Sequence, residues 1–346
     1  MRDRSYWVDY AKAIGIILVV YGHVARGVYS AGLPIDAYTF RMVDSIIYSF
    51  HMPLFFFLSG LFFYESFTKR GAGGLIVNKI DTIAYPFIIW SLLQGSIELA
   101  LSNYTTHSTS YLDVLSFAWN PRAQFWFLYA LFWVFVLSAL IYSLVSKAYS
   151  ALLLLFFAVL FVVSKELHAG VIVYYIAGNT VFFVFGIVFN DIKDFFERRC
   201  KALAMGLGIA FLAGQYIFHF VLGLTYDVVG VTALMLAAVS ILFVVSLSMC
   251  LDKVRLEWFM FIGTSSMAIY LMHVLAGSGA RIILVKVAGV QAASVHLAVG
   301  TLVGITVPLL ALTLIERYKL SFLFIPPPSI SATCLVERLS KKASST

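Results

Sequence analysis

Ten apolar stretches separated by short polar turns constrain this chain more than any single motif. They fall at about 8–25, 41–64, 82–101, 124–145, 150–164, 171–190, 202–221, 228–250, 258–276 and 295–315. A helix rises ~1.5 Å per residue and a bilayer presents ~30 Å of hydrocarbon, so about 20 apolar residues suffice to cross it. Only the fifth stretch, ALLLLFFAVLFVVS, is plainly short of that. In lipid every backbone N–H and C=O must be paired within the protein, which leaves helices or closed barrels. The runs are helical in length and lack the alternating pattern of barrel strands. The expected fold is therefore an all-α integral membrane protein of about ten transmembrane helices. Composition agrees: 62% of residues are hydrophobic and 12% charged, against about 25% charged in soluble domains.

Basic residues orient the bundle. With the N-terminus inside, the outer segments carry six (Arg26, Arg41, Arg122, Lys165, Arg281 and Lys286) and the inner segments, including Arg2, Arg4 and the tail, carry seventeen. This positive-inside asymmetry predicts cytoplasmic N- and C-termini. The net charge of +7 then reports topology and contact with anionic lipid, not nucleic acid. Cys200, Cys250 and Cys334 fall on or near the inner side, so no disulfide is expected. Residues 1–320 form one membrane body without an internal repeat. Residues 321–346, which include three consecutive prolines from Pro326, are expected to be a basic cytoplasmic tail, disordered or apposed to lipid. Arg2 and Arg4 before AIGIILVV loosely imitate a signal peptide ending at Ala25, but Asp9 and Lys12 within the apolar run argue against cleavage.

The first stretch holds the best lead to chemistry. Lys12 and His23 are eleven residues apart, almost three helical turns, and so share nearly one face with Asp9. They are separated by ~16 Å along the axis. Such residues on a membrane helix are costly unless they face a protein interior or a polar cavity. The bland alternative has Lys12 snorkelling to the headgroups and His23 resting in the interface. In the second stretch His51 lies near mid-membrane, Pro53 is expected to kink the helix, and Ser59–Gly60 to allow close packing. Lys69, Arg70 and Lys79 read either as positive-inside anchors or as a cluster for a phosphorylated donor, with the run from Arg70 to Gly74 a flexible, weakly phosphate-like loop. Trp126 fits an interfacial aromatic belt equally well. Tyr270 and His273, three apart, share a side of the ninth helix. Glu98 is a rare intramembrane carboxylate.

Together these segments resemble the membrane acyltransferase-3 family, ten-helix enzymes that O-acetylate bacterial glycans, over about residues 5–320. The marks are DYAKAIGIILVVYGH, HMPLFFFLSG, KIDTIAYPFIIW, QFWFLYALF and GTSSMAIYLMH, in that order. Within the family the chain is most similar to the fucose 4-O-acetylase type of branch. The resemblance implies acetyl-CoA as a cytoplasmic co-substrate, no metal or resident cofactor, a glycan acceptor at the outer face, and a bacterial inner membrane location. The family's basic residue and histidine map onto Lys12 and His23. Lysine replaces the usual arginine, keeping the charge but losing its planar fork. The family's donor-side basic residues map loosely onto Lys79, with Asn78 and Asp81 nearby, and a pair of arginines at fixed spacing is absent.

Two functions follow as expectations. In the first, an enzyme transfers acetyl to a sugar hydroxyl of an exopolysaccharide, lipopolysaccharide or lipid-linked repeat unit. His23 is then base or transient acetyl carrier, Lys12 a cation oriented by Asp9, and Lys79, Lys69 and Arg70 hold the CoA phosphates. His51, Trp126, Tyr270 and His273 meet the acceptor. In the second, a transporter or flippase moves a glycan or lipid past His23 and His273. Paired discontinuous helices in two halves would favour transport, and the sequence lacks that pairing.

Overall fold

A computed structural model of the protein describes residues 6–101, 110–166 and 170–343. Arg2, Arg4 and part of the 103–123 connection lie outside the described residues. Among the described residues every regular element is helical. The helices are α1 (Trp7–Ser30), α2 (Ala37–Tyr48), α3 (His51–Leu61), α4 (Phe63–Lys79), α5 (Tyr85–Ala100), α6 (Tyr111–Leu115), α7 (Trp126–Leu144) and α8 (Ser150–Val162). They continue with α9 (Val171–Phe189), α10 (Lys193–Arg198), α11 (Cys200–Tyr216), α12 (Val231–Asp252), α13 (Glu257–Thr264), α14 (Ser266–Lys286), α15 (Ala293–Arg317) and α16 (Ala332–Ala343).

Nine helical stretches among the described residues are long and apolar enough to span a bilayer. This is a multi-pass membrane protein. The fifth expected span is α8, whose 13 residues rise only ~20 Å. Several other spans differ from the sequence pattern in instructive ways. The second is broken at Ser49–Phe50, ahead of Pro53 and not at it. Pro53 sits in the first turn of α3, where its missing N–H costs nothing. The Ile47 carbonyl near this break accepts a 2.8 Å hydrogen bond from His51 Nδ1. The third span starts far earlier than residue 82, because α4 runs through a π-turn at Ile80–Ala84 directly into α5. The glycine-rich run after Arg70 is therefore helical, not a loop, and bends only at Gly71 (φ 68°, ψ 174°). The ninth span is likewise split into α13 and α14, and α14 continues ten residues past the expected end at 276.

Helix α1 is the hub, packed against α2, α3, α12, α13, α14 and α15. Its start is pinned to the far end of α12. The Tyr6 N–H donates to Asp252 at 3.1 Å, and the Leu256 N–H donates to the Tyr10 hydroxyl at 2.7 Å. Alongside, α3 and α9 approach to backbone contact. A Cβ at Gly60 would lie 1.9 Å from the Phe183 carbonyl oxygen, and one at Gly186 2.0 Å from that of Phe57. Small residues at a helix crossing let dispersion and packing hold helices together where lipid removes the hydrophobic drive.

The segment after the prolines is ordered. Asp81, in the π-turn, accepts hydrogen bonds from Ser331 Oγ (2.8 Å), Ala332 N–H (2.8 Å) and Thr333 N–H (3.1 Å). Its carboxylate thus serves the orphan amides that open α16. Tyr85 and Trp90 donate to the carbonyls of Phe322 and Leu323 at 2.7 and 2.8 Å. The tail is not disordered over Ala332–Ala343 but a helix strapped to α4, because a buried carboxylate supplies its N-cap from a residue 250 positions away.

Two outcomes check this packing. Gly186→Leu should destabilise the bundle by at least the ~1–3 kcal/mol of ordinary overpacking, read as a lower melting temperature in detergent; an unchanged value refutes the α3–α9 contact. Asp81→Ala should cost the tail helix about 0.5–2 kcal/mol, the usual loss of an N-cap. Limited proteolysis should then cut near residue 331 earlier than in the wild type.

Candidate functional site

Two cavities flank the middle of the bundle. One, of about 400 Å³, is lined by Lys12, Ser59, Ser66, Lys79, Thr82, Ser266, Met267 and Tyr270, with Phe55, Phe127 and Phe135 among its apolar walls. The other, of about 480 Å³, is lined by His23, Arg26, Gly27, Glu98, Arg122, His273, Arg281 and His296. Both volumes suit a bound metabolite. Tyr270 bounds the first cavity and His273 the second, and their rings are 6.2 Å apart. The face of α1 that carries Lys12 and His23 therefore meets one cavity with each.

In the Lys12 cavity, Lys12 Nζ is 3.3 Å from Asp9 Oδ1, so the carboxylate fixes the cation from one turn earlier on the same helix. Lys79 Nζ lies 4.2 Å from the centre of the Phe135 ring, a cation–π seat. Arg70 is its charged neighbour and donates to Ser66 Oγ at 2.9 Å. The arrangement sets two cations and several hydroxyls in a cavity whose remaining walls are largely apolar and aromatic.

In the His23 cavity, the rings of His23 and His273 meet edge-on with centroids 5.0 Å apart. His273 Nδ1 approaches the carbonyls of Tyr270 (2.8 Å) and Ile269 (3.1 Å). Carbonyls only accept, so Nδ1 carries the proton and Nε2 presents a lone pair. That Nε2 is buried and has no partner among the described residues. Below it a polar chain runs through the protein. Arg122 reaches Glu98 at 3.4 Å, Glu98 accepts from Gln94 at 2.9 Å, and Gln94 exchanges side-chain hydrogen bonds with Gln124. The Gln124 carbonyl in turn accepts from the Tyr270 hydroxyl. Ala123, between Arg122 and Gln124, is held at φ 46°, a conformation L-residues rarely adopt away from constrained sites.

The sequence model of a family described as an acyltransferase domain matches residues 5–313, nearly the whole described bundle. The chain belongs to this acyltransferase-3 family. Two curated relatives are nodulation proteins NolL. That of Sinorhizobium fredii is 29% identical over 148 residues, covering 42% of this chain and 39% of its own length. That of Mesorhizobium japonicum is 28% identical over 136 residues, covering 39% of this chain and 35% of its own length. The chain thus spans well under half the length of these relatives. No solved structure matches.

Seen as an acyltransferase domain, the bundle unites some of the residues singled out from sequence and scatters others. Lys12, Asp9 and Lys79 gather at the first cavity, His23 and His273 at the second, and Tyr270 stands between. Arg70 borders the first cavity through Ser66, whereas Lys69 is exposed and lines neither. His51 is 1% exposed, spends Nδ1 on the α2–α3 break and packs edge-on against Tyr48 at 4.4 Å. Trp126 stacks on Tyr175 at 5.5 Å and faces a separate 210 Å³ pocket beside Asn179. Neither His51 nor Trp126 lines the His23 cavity, contrary to the acceptor-side expectation. No residue of α7 lines the His23 cavity; Phe127, one position on, faces the Lys12 cavity, and Trp126 faces away from both. Sequence reasoning missed Arg281 and His296 altogether. A span ending at 276 leaves Arg281 among the outer-segment charges, whereas α14 carries on through it to Lys286.

Cysteine labelling checks the Lys12 cavity. In a background without Cys200, Cys250 and Cys334, Ser59→Cys and Ser266→Cys should react with a small water-soluble thiol reagent, while Ser240→Cys, at a fully buried position, should not. Equal protection of all three would refute an accessible cavity.

Proposed function

We propose that this acyltransferase moves an acetyl group from cytoplasmic acetyl-CoA to a sugar hydroxyl of an exported glycan, an exopolysaccharide, lipopolysaccharide or lipid-linked repeat unit. The observation that carries the reading is the pair of cavities adjoining at Tyr270 and His273, one holding Lys12 and Lys79 and the other holding His23, His273 and His296 beside three arginines. Lys12, held by Asp9, and Lys79 with Arg70 beside it would attract the CoA phosphates. The flexible pantetheine arm would then follow the aromatic wall past Ser59 and Met267, bringing the thioester toward His23. That path is ~16 Å along α1.

His23 would take the proton of the acceptor hydroxyl as its oxygen attacks the thioester carbonyl. The tetrahedral intermediate collapses, the C–S bond breaks, and the departing CoA thiolate recovers the proton. A transient acetyl-histidine on His23 reaches the same products in two steps. His273, whose tautomer is fixed by two backbone carbonyls, is placed to hold the His23 ring in one orientation. The excess of basic residues on the segments flanking Lys12 supports cytoplasmic termini and a donor cavity on that side. Cytoplasmic acetyl-CoA and an exported glycan adjoin at a bacterial inner membrane, which the reading therefore implies as the location.

The test uses oriented vesicles loaded with labelled acetyl-CoA. Label should appear on an external glycan acceptor and fall by roughly 10²–10⁴-fold with His23→Ala, the usual worth of a positioned base. Lys12→Arg should retain more transfer than Lys12→Ala or Lys12→Glu, because the role is charge. Substrate crossing at one rate with and without acetyl-CoA, with no labelled glycan, would replace acyl transfer by transport.

A further inference from the structure

The cations of the His23 cavity are not equivalent. Arg26 is fully engaged: its Nε and Nη2 grip both oxygens of Asp44 at 2.7 and 2.8 Å, and its guanidinium lies 3.4 Å from the centre of the Tyr48 ring. Arg122 has Glu98. Arg281 is half-buried on the same cavity wall, and among the described residues no carboxylate lies within ion-pair distance of it. A cation withdrawn from water without a counter-ion is disfavoured, and such residues within a membrane body mark ligand paths.

The backbone makes room for this one. A Cβ at Gly27, one turn after His23 on α1, would stand 2.1 Å from Arg281 Nη1. The guanidinium thus rests on bare backbone, next to the reacting histidine and with its fork unspent. Two further groups share the cavity. His296 Nε2 meets the Val290 carbonyl at 2.9 Å, so its Nδ1 bears a lone pair, and like His273 Nε2 it is buried without a partner. Among the described residues, the cavity therefore offers one free forked cation and two unfilled imidazole acceptors. An oxyanion would satisfy the first and hydroxyl donors the second. A sugar carrying a carboxylate supplies both.

We propose that the acceptor is an acidic glycan, whose carboxylate is gripped by Arg281 so that a neighbouring hydroxyl is presented to His23. The proposal rests on the acyl-transfer reading and names its substrate class.

Binding tests it separately from turnover. Methyl glucoside, methyl glucosiduronic acid and methyl glucoside 6-phosphate would be titrated against the protein in phosphatidylcholine nanodiscs. The uronic acid should bind at least tenfold more tightly than the neutral sugar. Arg281→Gln should bring that ratio to about one. Gly27→Ala keeps every charge but displaces the guanidinium, and should lower the ratio as well. Melting temperatures of both variants establish that they are folded. Equal binding of neutral and acidic sugars by wild type overturns the proposal, as does a ratio unaffected by Arg281→Gln. A preference for the phosphate over the uronic acid, or loss of the preference in phosphatidylglycerol nanodiscs, assigns the arginine to a phosphate or to lipid headgroups instead and also overturns it. Acid-selective binding with no acetyl transfer to any of the sugars would leave the site standing and count against acyl transfer.

Discussion

Polar side chains on α1 cannot be left in hydrocarbon, and this requirement organises the molecule. Asp9, Lys12, His23 and Arg26 lie on a helix most of whose apolar residues are buried by neighbours. Each polar group is accommodated by something built around it. Lys12 has Asp9, Arg26 has Asp44 from α2, and His23 has the edge of His273 from α14. Of the helices involved, α1 and α14 line both cavities and α2 lines neither, so the contacts of α1 with α14 serve both to accommodate its polar groups and to form a site.

The close approach of α3 to α9 has a related effect. Gly60 and Gly186 draw those backbones together, and α3 then offers Phe55, Leu58 and Ser59 as one wall of the Lys12 cavity. The strapped C-terminal helix acts on the opposite wall. It is held by Asp81, two residues beyond Lys79, and so steadies the π-turn from which Thr82 and Ile83 also reach the cavity. Helical backbone, not loops, positions most of the groups lining the two cavities.

The sequence made the fold class legible because lipid imposes its rule on composition and length directly, residue by residue. It also exposed Lys12, His23, Tyr270 and His273, since a polar residue in an apolar run announces its own cost. What it concealed were features that depend on partners. The Gln94–Gln124 exchange and the Asp81–Ser331 cap join positions remote in sequence, and neither side alone looks unusual. Arg281 lay past the expected end of a span that continues through it. Trp126 had the right chemistry, yet helix register set it against Tyr175, while the α2–α3 break engages His51 Nδ1 although the ring remains a charged-group neighbour of His23. Chemical character can be read from a sequence, whereas the direction a side chain faces depends on every kink before it.

The nearness of the two cavities, whose bounding rings Tyr270 and His273 are 6.2 Å apart, has an electrical consequence for the proposed function. If the cavities open to opposite faces of the membrane, as that function requires, much of a transmembrane voltage would fall across the short distance between them. Moving one elementary charge through the whole drop is worth about 2.3 kcal/mol per 100 mV. In the proposed transfer, any charge moved between the Lys12 cavity and His23 would be displaced within that zone. The membrane potential would then act on the reacting groups themselves, and a de-energised membrane would present the same protein with a different barrier.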